Sequence, residues 1–92
     1  MPDWYIYIVR CGNGNLYTGI SINVECRFIQ HESGKTGAKY LRGRKPLALV
    51  FQKRLGSRSL AMRVEANVKK LSRAKKEKMI EFSENIEALT KE

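Results

Sequence analysis

Trp4 to Val9 is an unbroken run of aromatic and β-branched residues, a strong strand pattern. It has no alternation with polar residues, so the sequence predicts a strand covered on both faces. Cys11-Gly-Asn-Gly-Asn15 reads as a turn, because Gly and Asn tolerate positive φ. Leu16 to Ile20 is then the returning strand of a hairpin. With an odd-length loop centred near Asn13, Tyr7 and Tyr17 project from the same face, since side chains alternate with period two. A slip of one residue would separate them. Gly19 inside the second strand points to a bulge or a close approach.

Ser21 and Asn23 are helix-capping residue types. The spacing predicts a helix over 24–33 that stops at Gly34. Arg27 and His31, four residues apart, share one face of it. Val24 and Phe28 form a neighbouring face that can pack on the sheet. Residues 33–45 (SGKTGAKYLRGRK) hold three glycines and five cations and read as a long loop, a length often tied to function. Pro46 opens a third strand, LALVFQKRL. Gly56-Ser57 breaks it, and a helix over 59–71 follows, with Leu60, Val64, Val68 and Leu71 as its apolar stripe and Glu65 at the border. Ser72 caps a last helix reaching about Phe82, with Met79, Ile80 and Phe82 apolar. The order β-β-α-β-α-α predicts an α+β fold, a three-stranded antiparallel sheet flanked by helices. The expected organisation is one domain over 1–83 and an acidic C-terminal tail over 84–92.

Charge adds a direction to this outline. Of 92 residues, 18 are Lys or Arg and 9 are Asp or Glu, for a net charge of +9. Between Lys35 and Lys76 stand fourteen cations and one acid, Glu65. Such an excess points to a polyanionic partner, most simply nucleic acid. An anionic membrane surface is the rival, but no stretch approaches the roughly 18 to 20 apolar residues of a spanning helix, and no membrane partner is expected. Nothing at the N-terminus reads as a secretory signal. Cys11 and Cys26 make no disulfide framework and have no His or Cys at zinc-ligand spacing. They are expected to be packing residues in a reduced, cytoplasmic protein.

Phosphodiester cleavage needs an activated water, neutralisation of transition-state charge and help for the leaving oxygen. A lone carboxylate such as Glu65 can hold a hard divalent ion together with water and phosphate oxygens. Equally, it can simply pair with Arg58, Arg63 or Lys69. Arg27 can clamp phosphate oxygens and His31 can relay a proton, or both can be a solvated surface pair. Tyr5, Tyr7 and Tyr17 can be core aromatics. A Tyr acts as a general base only if a neighbouring cation lowers its pKa from about 10. Lys35, Lys39, Arg42 and Arg44, with Tyr40 among them, suit phosphate contacts. Lys69, Lys70, Arg73, Lys75 and Lys76 suit general electrostatic attraction.

Taken together, Tyr5-Ile6-Tyr7, Tyr17-Thr18-Gly19 ten residues on from Tyr7, Arg27, His31 and Glu65 resemble the GIY-YIG nuclease family. The segment GAKYLRGRKPLALV is similar to that of small stand-alone bacterial members. The chain departs from the family pattern with Tyr at position 5 and Thr at position 18. The resemblance implies a DNA endonuclease in which Tyr17 or Tyr7 activates or orients the water, Arg27 stabilises the transition state and His31 assists proton movement. Glu65 would hold one Mg2+ or Mn2+ ion. It also implies a protein partner that could supply target specificity, with DNA the substrate before RNA. Two alternatives remain open from the sequence: a binding module of the same fold that cleaves poorly or not at all, and a basic RNA- or ribosome-associated protein.

Overall fold

The computed structural model of the chain describes residues 2–33, 41 and 43–82. Six elements follow one another: β1 (Trp4–Arg10), β2 (Leu16–Ser21), α1 (Val24–Ser33), β3 (Ala48–Gly56), α2 (Arg58–Lys69) and α3 (Arg73–Glu81). The strands form one antiparallel sheet in the order β2-β1-β3, with the hairpin's first strand in the centre. This is the α+β architecture expected from the sequence. The expected tail over 84–92 lies outside the described residues.

The hairpin register centres on Asn13, with Tyr7 opposite Gly19 and Arg10 opposite Leu16. Cys11 N donates to Asn15 O and Gly14 N to Cys11 O, each at 2.8 Å. Gly14 takes a φ of 88°, a region costly for a residue with a Cβ. The odd-length turn therefore places Tyr7 and Tyr17 on one face, as the period-two argument requires.

β1 lacks polar alternation because it is buried on both sides. Ile6 and Ile8 pack with Phe51 and with Val64, Val68 and Met79 of α2 and α3. Tyr7 and Val9 pack on the opposite face with Cys11, Val24, Leu41 and Leu47, and with Tyr5, Tyr17 and Phe28 at the margin. Cys11 is thus a packing residue. Cys26, expected to be one too, is exposed on α1, and so is Phe82 beyond α3.

The helix ends follow their caps. Asn23 Oδ1 accepts from Cys26 N at 3.0 Å and Ser72 Oγ from Lys75 N at 3.2 Å. Ser57 Oγ accepts from Leu60 N at 3.1 Å, so α2 starts slightly earlier than its apolar stripe suggests. It also ends earlier, because Lys70 N and Leu71 N turn back to Asn67 O and Val68 O in a tightened last turn. A polar latch then seats α3 on the hairpin. Both terminal nitrogens of Arg10 donate to Glu77 at 2.7 Å, and Arg73 Nη2 donates to Gly14 O at 2.7 Å.

Thr18 and Gly19 are adjacent, both buried, and face opposite sides of the sheet. Thr18 Oγ1 has no hydrogen-bond partner among the described residues, and a hydroxyl buried in that way costs roughly 1–3 kcal/mol. Gly19 lies under the Tyr7 ring, where an added Cβ would sit 2.6 Å from the phenol oxygen and 2.8 Å from Cζ. Opposite outcomes are therefore expected from two neighbouring substitutions. In thermal melts, Thr18→Val should raise stability by about 1 kcal/mol, a shift of roughly 4–8 °C in Tm. Gly19→Ala should lower it by about 1–3 kcal/mol through overpacking against Tyr7. A destabilising Thr18→Val would mean that its hydroxyl has a partner.

Candidate active site

Three rings from three elements meet on the α1 face of the sheet. Tyr7 comes from β1, Tyr17 from β2 and His31 from the last turn of α1. Ring centroids are 6.4 Å apart for Tyr7 and Tyr17, 5.9 Å for Tyr7 and His31, and 5.5 Å for Tyr17 and His31. The Tyr7 hydroxyl lies 2.9 Å from His31 Nε2 in a buried hydrogen bond. His31 is 2% exposed, which removes the reading of it as one half of a solvated surface pair. Helical spacing brings Arg27 to the same face of α1. There it is half-buried and donates from Nη1 to Gln30 Oε1 at 2.9 Å. Gln30 was not among the candidate residues, although its three-residue spacing from Arg27 marks it as a helix-surface neighbour.

The electrostatics of the cluster follow from burial. Tyr7 is pushed up to about 12, first by desolvation and then by Tyr17. Arg27 works against that rise through its charge and hydrogen bonding, and Glu65 adds to it. Lowering of a Tyr by a neighbouring cation is therefore present at Tyr7 but outweighed, and its phenol stays protonated at neutral pH. His31 is held below its usual 6.5, chiefly by burial and secondarily by the charge of Arg27. The pair at neutral pH is a neutral phenol against a neutral imidazole.

Glu65 belongs to α2, which packs mainly against the other face of the sheet, yet its charge acts on Tyr7. Of the three cations weighed as its partner, Lys69 is the one it meets, with Oε2 3.3 Å from Nζ. Arg58 instead lies over the Trp4 ring, 5.6 Å from its centroid. Among the described residues, no group of three or more His, Cys, Asp or Glu could cage a metal ion. Glu65 offers one hard oxygen donor group, which suits an ion that takes the rest of its shell from water and phosphate oxygens.

Of the residues expected to contact phosphates, Lys35, Lys39, Tyr40 and Arg42 lie outside the described residues. Arg44 is half-buried beside the hairpin turn, its carbonyl accepting from Gly12 N at 2.8 Å. Lys69 is exposed and paired with Glu65. No described helix is long and apolar enough to cross a membrane.

Comparison with known proteins identifies the family. The family profile described as GIY-YIG catalytic domain matches residues 3–78. A UPF0213 protein of Citrobacter koseri is 46% identical over 89 residues, spanning 97% of this chain and 88% of its own. The UPF0213 protein YhbQ of Salmonella typhimurium is 45% identical over the same share of both chains. Among solved structures, the UPF0213 protein BH0048 of Bacillus halodurans aligns with a TM-score of 0.56 and 47% identity, over 86% of this chain and 83% of that one. The protein EF2693 of E. faecalis aligns with a TM-score of 0.62 and 35% identity, over 88% and 85%. A catalytic-domain match across most of the chain, with small relatives of nearly the same length, makes this chain a member of the GIY-YIG family.

Proposed function

We propose that this chain is an endonuclease that hydrolyses phosphodiester bonds in nucleic acid, DNA before RNA. The observation that carries the reading is the buried Tyr7–His31 hydrogen bond of 2.9 Å, with Tyr17 against both rings and the charges of Arg27 and Glu65 acting on it. A protonated phenol beside a neutral imidazole is a proton path. Tyr7 takes a proton from the attacking water as it passes its own to His31 Nε2, so the imidazole is the acceptor and the phenol the relay. Tyr17, on the more open side, orients the water. Arg27, held by Gln30, faces the charge that develops on the phosphate oxygens. A Mg2+ or Mn2+ ion on Glu65 would act as a Lewis acid beside the leaving oxygen. The phosphate contacts over 35–44, a protein partner that supplies specificity, a domain limit near residue 83 and a cytoplasmic location belong to the same proposal.

The Glu65–Lys69 ion pair favours a second reading, a nucleic-acid-binding module of this fold with little or no turnover. Cleavage of labelled single-stranded, duplex and branched DNA in Mg2+ or Mn2+ against EDTA separates the two. Under the nuclease reading, cutting depends on the ion. Glu65→Ala should then lose at least about 100-fold in rate, while binding in EDTA is kept or tightened, since a negative charge near phosphates is removed. Binding without cutting in the wild type supports the module. A Glu65→Ala chain that unfolds makes Glu65 structural.

The proton path also fixes a pH profile. His31 accepts a proton only while neutral, and burial keeps it neutral to below its usual 6.5. Turnover should therefore be level through neutral pH and fall on the acid side of 6.5. No alkaline loss from Tyr7 is expected near neutrality, because its phenol is pushed up to about 12. Activity that rises steadily with pH across the neutral range would point instead to a phenolate base. Arg27→Ala should cost about 100- to 1000-fold in kcat with a small change in KM. Equal losses in both would reduce Arg27 to a docking contact.

A further inference from the structure

The latch between α3 and the hairpin leaves a cleft of about 270 Å³, lined by Asn15, Leu16, Arg73 and Lys76. Its polar groups come from the hairpin turn and α3 and can all donate hydrogen bonds. Arg73 is anchored, with Nη2 on Gly14 O at 2.7 Å and Nε 3.7 Å from Glu77. Glu77, the acid nearest the cleft in sequence, is itself engaged by both terminal nitrogens of Arg10 at 2.7 Å. Lys76 is half-buried and its ammonium makes no ion pair with a described residue. A fixed guanidinium, an uncompensated ammonium and a side-chain amide around one concavity form a receptor for an anion with several acceptor oxygens.

Position narrows the anion. Leu16, in the cleft wall, directly precedes Tyr17 on β2, and their side chains leave the strand on opposite faces. β2 is an edge of the sheet, so one of its sides is unpaired. Asn15 and Tyr17 are two residues apart, at most about 7 Å along the chain.

We propose that this cleft binds a backbone phosphate of the substrate strand and that the strand crosses the β2 edge between the cleft and the tyrosine face. The proposal rests on the nuclease reading for what lies at the other end of the strand, but the phosphate contact itself does not require turnover. It separates Lys76 from Lys75, one residue away, exposed and outside the cleft.

The test compares Lys76→Gln with Lys75→Gln, each combined with Glu65→Gln so that binding is read without cleavage. Binding of fluorescein-labelled single-stranded and duplex DNA is followed across a salt series. Thermal melts check that both variants keep the fold. Lys76→Gln should weaken binding about 3- to 10-fold and reduce the slope of log K against log salt by about 1, the loss of one phosphate contact. Lys75→Gln should move neither by more than about a third of that. Equal effects of the two substitutions, or none from Lys76→Gln, would overturn the cleft while leaving the nuclease reading intact. A parental chain that binds no DNA would overturn both. Lys76-dependent binding to phosphatidylglycerol vesicles in place of DNA would make the anion a lipid headgroup and overturn it as well. Selective loss in Lys76→Gln, together with a wild type that never cuts in Mg2+ or Mn2+, would uphold the cleft and refute the nuclease.

Discussion

A buried phenol and a buried imidazole each need hydrogen-bond partners, and here each supplies one to the other. The Tyr7–His31 contact does this across 24 residues of chain, and much of the fold can be read as the means of making it. It requires the hairpin register that puts Tyr7 on the α1 face. It requires α1 to bring its last turn, which carries His31, up to the Tyr7 ring. It also requires a strand neighbour without a side chain, because the ring lies across the position where a Cβ of Gly19 would project. Desolvation then moves both groups toward neutrality, Tyr7 upward and His31 downward, so one burial event sets the protonation of the whole pair.

The second constraint is that β1 has no free face. Its even-numbered residues Ile6 and Ile8 enter the core under α2 and α3, while its odd-numbered residues Tyr7 and Val9 enter the cluster under α1. The strand thereby couples an apolar, helix-covered side to an aromatic, chemically equipped one. Arg10, at its end, carries this coupling to α3 through Glu77, which positions the basic start of that helix against the hairpin turn. The surface charge of α3 is therefore held in register with the strand that bears Tyr17.

Features governed by local chemistry were legible in the sequence. The start of α1 follows from Asn23, and the common face of Tyr7 and Tyr17 follows from an odd turn at Asn13. Features that depend on distant partners were not. Arg10 and Glu77 stand 67 residues apart, and nothing in the spacing of either announces the other. Helical spacing placed His31 beside Arg27 but could not say that the face they share is covered. The Tyr7 and Tyr17 rings, arriving from two other elements, cover His31. Cys26 shows the converse error. An apolar character suggested packing, yet its position on α1 turns it to solvent.

Glu65 is where structure and proposed chemistry meet most tightly. It stands alone among fourteen cations in its stretch of sequence, and among the described residues Lys69 is the one that pairs with it. That partner is held loosely. The contact is 3.3 Å, one helical turn away, with 55% of the lysine side chain exposed. Pairs of this kind contribute a few tenths of a kcal/mol. Exchanging Lys69 for a divalent ion therefore costs the fold little, while the ion gains a carboxylate ligand whose charge already acts on Tyr7. With one protein carboxylate on offer, such an ion would hold poorly on its own and far better once phosphate oxygens complete its shell. Under the proposed chemistry, metal and substrate then favour each other's binding, and the lysine keeps the lone acid neutralised until both arrive.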